Sequence, residues 1–327
     1  MEVVGVDEAD EFRRAFGVLA SVAAEREFPT LMPVDEALVL LQSPPADYRF
    51  SCLASIEDDE VIGAALLTWP QSENQQLVVV DLGVVPAHRR RGVGSALLHA
   101  VRAQARDEGR SALLGETFSP YGAEVGSGAA FASKRGFVAQ FAALHQVLTY
   151  PVSDLAAQAD AVAEHHRDYE LISWPGACPE EYLTEYCGLL SLVDEEVPLD
   201  DLEMQPKRWS PERLRAAEEH RRTQGHFGST TVAVAADGRL AGYTELTGSP
   251  QQPGRLNQRD TLVRPEHRGH RLGLALKLAN LQALQSAFQD PATIHTWNAE
   301  SNAPMIAVND HLGFRPIEHQ HVWHSPA

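Results

Sequence analysis

The chain has 327 residues, 44% hydrophobic and 22% charged, which is an ordinary globular composition at a length that suits two domains with a core each. A net charge of −18 opposes attraction to nucleic acid, and no apolar run approaches the roughly 18 residues of a membrane span. Three cysteines, Cys52, Cys178 and Cys187, form no Cys-x-x-Cys pair, and the start MEVVGVDEADEF is acidic where an export signal is basic, so a reducing cytoplasm is expected and a disulfide framework or zinc ribbon is not.

In chain order, Asp10 to Glu25 reads as a helix. SCLASIEDDEVIGAALLTW is a hairpin around an acidic turn, and a further strand ends near Val84. A turn rich in Arg and Gly, HRRRGVG, leads into the amphipathic helix GSALLHAVRAQARDEG, the strand SALLGETF, a short helix and a last hairpin opened by Gly136-Phe137. Residues 153–167 read as a polar helix or linker, and YELISW starts a second half with two helices, Pro179 to Val193 and Pro211 to Gln224, around the acidic stretch Asp194 to Glu203. That stretch is a solvated loop or an attractor of a cationic amine. The hairpin STTVAVAADGRLAGYTELT, a strand ending at Val263, a turn, the helix GLALKLANLQALQSAF, the strand TIHTW, a helix and a second Gly-Phe hairpin complete it.

The two halves are copies. DLGVVPAHRRRGVGSALLHA from Asp81 aligns with DTLVRPEHRGHRLGLALKLA from Asp260 at an offset of 179, with identical Val84/Val263, Pro86/Pro265, His88/His267, Arg89/Arg268 and Gly94/Gly273. Downstream, Phe137 matches Phe314 at 177. The expected fold class is mixed α/β, as two tandem domains over residues 1–152 and 168–327 joined by 153–167.

A strand that ends in a tight glycine turn and starts a helix presents unpaired N–H groups at the positive helix end, a ready site for phosphate. Neither turn has the spacing of a Walker loop or a dinucleotide fingerprint. Arg89-Arg90-Arg91-Gly92-Val93-Gly94 instead resembles the [Q/R]-x-x-G-x-[G/A] acyl-CoA signature of the GNAT N-acetyltransferases, placed between the strand and helix that family has. The resemblance spans nearly the whole chain as two copies. It implies a splayed mixed sheet flanked by helices in each half, acetyl-CoA or another acyl-CoA as co-substrate, no metal, and direct attack of an amine on the thioester. The acceptor would be a primary amine of a small metabolite, antibiotic or peptide. A longer acyl chain from CoA or a carrier protein, and a non-catalytic acyl-CoA sensor, are the alternatives. No nucleic-acid or membrane partner is expected, and the chain would act as a monomer or homodimer.

By the same resemblance the co-substrate would lie on Val84, Val85, Arg89, Arg90, Arg91, Gly92, Val93, Gly94 and Ser95 in the first half. In the second it would lie on Leu262, Val263, Arg268, Gly269, His270, Arg271, Leu272 and Gly273, with Asn298 and with Asn302, where the family places a cofactor-contacting asparagine. The family's tyrosine acid is replaced by Ala132 and by Asn309. Asn309, Tyr243, Tyr121, a water or unassisted departure of the thiolate remain for that step. Glu245 is the candidate base, oriented by strand alternation to the cleft or to solvent, while Asp260 and His267 flank the signature strand. Arg271 stands where the signature has its first glycine, and is strained if that position needs a positive φ. Asn302 and the insert from Pro179 to Gln224, able to wall a substrate, favour the second half as catalytic, with the first a CoA-binding or degenerate partner. His319, His321 and His324 fit alternate positions of a terminal strand better than a metal tract, and the tryptophans fit cores.

Overall fold

The computed structural model describes residues 1–124, 126–196, 204–290 and 292–327, and the side chains of 194–196 are not among the described parts. Of the acidic stretch Asp194 to Glu203, a candidate attractor of a cationic amine, residues 197–203 lie outside the described residues. The described residues form two compact units, one chiefly of residues 1–142 and 318–327 and the other chiefly of residues 143–196 and 206–317.

The first unit contains β1 (Glu2–Val6), α1 (Ala9–Ala23), α2 (Val34–Gln42), β2 (Tyr48–Glu57), β3 (Glu60–Pro70), β4 (Leu77–Val84), α3 (Val93–Asp107), β5 (Ala112–Pro120) and α4 (Ser127–Lys134). β6 (Val138–Tyr150) follows. The second unit has α5 (Leu155–Val162), β7 (Tyr169–Pro175), α6 (Leu183–Glu196), α7 (Pro211–Thr223), β8 (Phe227–Ala235), β9 (Leu240–Gly248), β10 (Arg255–Val263), α8 (Leu272–Ala287), β11 (Ala292–Ala299) and α9 (Ala303–Leu312). β12 (Arg315–Pro326) ends the chain.

Strand order is β1-β2-β3-β4-β5-β12 in the first unit and β6-β11-β10-β9-β8-β7 in the second. The expected Gly-Phe hairpins are therefore single long strands, and each closes a sheet built by the other half. Residues 143–150 of β6 pair antiparallel with β11, and residues 318–326 of β12 pair with β5. The reason is in the residues: VAQFAALHQVLTY and RPIEHQHVWHSP contain no internal Gly, Pro, Asn or Asp pair to make a turn.

Local sequence accounts for the helices. Phe12, Ala15, Phe16 and Leu19 recur at helical spacing on α1, and all are buried. Ser210 caps α7 by accepting from the Arg213 amide at 3.3 Å, with Pro211 in the first turn. α8 is buried on nearly every side, with Leu272, Leu274, Leu276, Leu278 and Leu281 in its core contacts, and Lys277 is its one charged residue.

In both units the strand before the turn separates from its parallel neighbour. β4 pairs with β5 from Leu77↔Ala112 to Val80↔Gly115, and β10 pairs with β11 from Arg255↔Thr293 to Asn257↔His295. Beyond those pairs the strands splay. One difference separates the copies. β3 and β4 keep register from Gly63↔Val84 to Thr68↔Val79, whereas β10 has a bulge between Gln258 and Thr261, where Arg259 and Asp260 stand opposite Glu245 alone.

Candidate active site

The bulge is filled by the buried Gln258 side chain, whose Nε2 donates to Thr244 Oγ1 and to the Glu245 carbonyl, each at 2.9 Å. Thr244 and Thr261 hydroxyls meet at 2.7 Å across it. These contacts replace the lost ladder bonds and hold the strand edge open toward the splay.

A cavity of about 780 Å³ runs from the splay to the turn of the second unit. Its walls include Asn257 to Val263 of β10, Arg268, Gly269, Arg271, Leu272 and Gly273 of the turn, Lys277 of α8, Thr296 to Ala299 of β11, and Asn302, Met305 and Val308 around α9. Leu262, Val263, Asn298 and Asn302 are thus brought together with five residues of the predicted turn. His270 is not: its ring packs on Tyr169 at 5.5 Å, because the turn directs alternate side chains outward. Asn302 caps α9, accepting from the Met305 amide at 3.3 Å with its Oδ1. Arg268 Nε donates to the Val263 carbonyl at 3.2 Å, and Arg271 is exposed with no hydrogen bond or ion pair among the described residues.

The three predicted catalytic residues are not among the cavity walls. Tyr243 is fully buried in the core with Trp174 and Leu189, edge-on to Tyr186 at 5.3 Å. Glu245, two residues on and so on the same face of β9, is held by Arg221 of α7 at 3.2 Å. Alternation sends both side chains to the face covered by α6 and α7. Asn309 is fully buried behind Lys277, whose Nζ donates to its Oδ1 at 2.7 Å. His267 meets the Tyr169 hydroxyl at 3.0 Å, also outside the cavity, while Asp260 is an exposed carboxylate on its wall.

Lys277 is the residue that motif reading misses. Burial pushes its amine down to about 7. The signal lay in the repeat: the same helix position in the first copy is Leu98, and Ala132 stands where Asn309 does.

The first unit has a cavity of about 480 Å³ in its own splay, walled by Leu19, Val22, Asp81, Glu116, Phe131, Phe137 and Trp323 among others. None of the residues Val84, Val85, Arg89 to Arg91, Gly92, Val93, Gly94 or Ser95 lines it. Their side chains are engaged elsewhere. Arg89 is bidentate to Glu25 at 2.5 and 3.2 Å, Arg91 bonds Glu57 at 2.9 Å, and Ser95 accepts from Arg135. Val93 is buried against Ile62 and Leu97, and a Cβ on Gly94 would meet the Phe131 ring at 3.4 Å. A Cβ on Gly273 would meet nothing within 4 Å.

Tyr121 is exposed and stacked on His319, which stacks in turn on His321. Among the described residues no group of three His, Cys, Asp or Glu is arranged to hold a metal, and no helix is long and apolar enough to cross a membrane.

The sequence profile of the acetyltransferase (GNAT) family matches residues 19–122 and again 195–314. No curated protein matches the chain. Among solved structures, a tandem GNAT protein from the clavulanic acid biosynthesis pathway is 31% identical, with TM-score 0.81 over 99% of this chain and 98% of its own. A GCN5-related N-acetyltransferase from Sphaerobacter thermophilus shares the fold at TM-score 0.65 and 12% identity, over 99% and 95%. Two profile matches, each over a strand, an Arg/Gly turn and a helix of a splayed sheet, place the chain in the acetyltransferase (GNAT) family, whose domain it carries twice.

Proposed function

We propose that the second unit transfers an acetyl group from acetyl-CoA to a primary amine of a small metabolite, antibiotic or peptide, by direct attack in a ternary complex. The observation that carries this reading is the continuity of its cavity from the helix N-terminus of α8 to the splayed strands. Phosphates of CoA would rest on the α8 amides beside Arg268 and Arg271, with open space at Gly273 for close approach. Between Arg259 and Val263, β10 has left its parallel partner, so its free edge suits the amides of an extended pantetheine arm as an added strand would. Asn298 and Asn302 add amide groups along the same wall. Asp260 is the acidic wall residue and gives an incoming amine a counter-charge. A small-molecule acceptor also agrees with the setting of the 31% identical tandem protein in the clavulanic acid biosynthesis pathway.

The first unit acts as a partner or scaffold in this reading, because Phe131 lies against Gly94 of its turn and two of its three arginines, Arg89 and Arg91, are paired with glutamates. The test incubates the protein with acetyl-CoA and a panel of amines and follows release of free thiol. Turnover with one or more amines supports transfer. Tight CoA binding with no turnover across the panel would replace this reading with an acyl-CoA sensor.

A further inference from the structure

Lys277 is 1% exposed, yet it is one of the residues that wall the cavity of the second unit. An ammonium has three donors, and one is used, on Asn309 Oδ1 at 2.7 Å. Asn309 Nδ2 donates to Gln146 Oε1 at 2.9 Å, and Gln146 Nε2 donates to Asp310 Oδ1 at 3.0 Å. This chain has a fixed direction. An ionised Asp310 can only accept, so Gln146 must present its amide nitrogen to it and its oxygen to Asn309, which leaves the Asn309 oxygen for Lys277.

Burial disfavours the charge and no carboxylate pairs with the lysine among the described residues, so the Phe314 ring, 5.5 Å from Nζ, returns only a cation–π attraction to the ammonium. Charged groups sharing the cavity are Arg259, Asp260, Arg268 and Arg271. A lysine so placed exchanges its proton near neutral pH, as its downward shift to about 7 agrees. Replacing Leu98 and Ala132 of the first copy with a hydrogen-bonded Lys and Asn adds a desolvated polar pair to a core, a cost in stability with no packing return.

We propose that Lys277 is the proton donor to the thiolate that leaves when an amine attacks the thioester in this cavity, with Asn309 as its positioning residue. The inference rests on the acyl-transfer reading above. In the step, the amine nitrogen forms a bond to the thioester carbonyl carbon, and the tetrahedral intermediate collapses with cleavage of the C–S bond. Sulfur leaves with the electron pair and takes a proton from the Lys277 ammonium, giving a free thiol. The attacking nitrogen loses its proton to water in the open cavity, and the neutral lysine regains one from solvent. Products are the amide and the thiol, with no net change in the enzyme.

The test compares wild type with Lys277→Met, Lys277→Arg and Asn309→Ala in kcat and KM from pH 5.5 to 9, with CoA affinity by calorimetry. A donor must be protonated, so wild-type kcat falls as pH rises past about 7. Lys277→Met is expected to lower kcat on the order of 10²-fold, with CoA affinity and amine KM changed less than about threefold and the falling limb gone. Lys277→Arg, whose group does not deprotonate in this range, should also lose the limb. Asn309→Ala should move the limb to lower pH, because the ammonium loses its acceptor. Independently of activity, the chain has three lysines, so a ¹³C-lysine spectrum should show one titrating near 7 that Lys277→Arg removes. An active wild type whose Met and Arg variants keep kcat within about threefold, limb included, overturns the proposal. A wild type that acylates no amine overturns the acyl-transfer reading itself, and the donor role with it.

Discussion

Gly92 and Arg271 occupy the same left-handed position, the N-cap of α3 and of α8, at φ +92° and +53°. Two residues earlier the identities reverse: Arg90 has φ +64° where the second turn has Gly269 at +88°. Each turn therefore needs two positive-φ residues and supplies one glycine and one arginine. A non-glycine residue there costs about 1–2 kcal/mol, and Arg271, with no partner among the described residues, returns none of it through contacts within the protein. Arg271→Gly is expected to raise stability by up to about 1 kcal/mol while weakening CoA binding several-fold. Thermal unfolding and calorimetry check the two opposite signs. A variant that binds CoA as tightly as wild type would remove Arg271 from the phosphate site.

Gly273 and Gly94 separate the roles of the two units. A glutamate at 273 fits sterically, since nothing lies within 4 Å of its Cβ, but sets a carboxylate at the anion-binding helix end. Gly273→Glu should abolish transfer in a folded protein, with CoA affinity down about tenfold or more. Gly94→Glu, pressed against Phe131, should leave turnover intact if a modest loss of stability is tolerated. Equal loss of activity from both folded variants would count against assigning catalysis to the second unit.

The repeat, the strand-turn-helix order and the location of the turn were legible in the sequence, because Gly and Pro punctuate it and identical residues recur at a fixed offset. What could not be read is long-range. The exchange of β6 and β12 between the two halves of the sequence depends on pairings across the chain, and both strands have the same local look whichever sheet they enter. The bulge at Arg259 and Asp260 needs the β9 register before it exists at all. Glu245 and Tyr243 illustrate the limit of alternation, which put them on one face of β9 without saying that α6 and α7 cover that face. Lys277 is not legible because the sequence pattern of an amphipathic helix places a lysine on its wet side; α8 has almost no wet side.

The three cysteines are free and buried, and burial pushes the Cys52 and Cys178 thiols up to about 12. Thiolate, the reactive form, is scarce there at neutral pH. A chromogenic disulfide reagent should thus label the native protein by well under one equivalent over the minutes of an assay and label all three after denaturation. Rapid labelling of native protein would contradict the buried placement and would also add a background to thiol-release kinetics.

Asp81 and Glu116 face the cavity of the first unit, and their linkage predicts a pH effect there. Desolvation along the cavity wall, with the Glu116 charge beside it, raises the Asp81 carboxyl to about 6 although the residue keeps an exposed surface; Glu116, also exposed in part, is raised as well, chiefly by desolvation. The folded chain therefore holds a proton that the unfolded chain has already released between roughly pH 4 and pH 6. Stability from this site is full at the acid end of that window and is lost as pH rises through it. Asp81→Asn removes the ionisation while keeping the shape. It should raise the melting temperature relative to wild type at pH 7, and the difference should shrink toward pH 4, where the folded wild-type carboxyl is protonated and the unfolded one is about half protonated. Melting curves of the two proteins at pH 4, 5, 6 and 7 read this directly. A difference that stays constant or grows toward acid would show that Asp81 is stabilised as the carboxylate, contrary to its desolvated position beside Glu116.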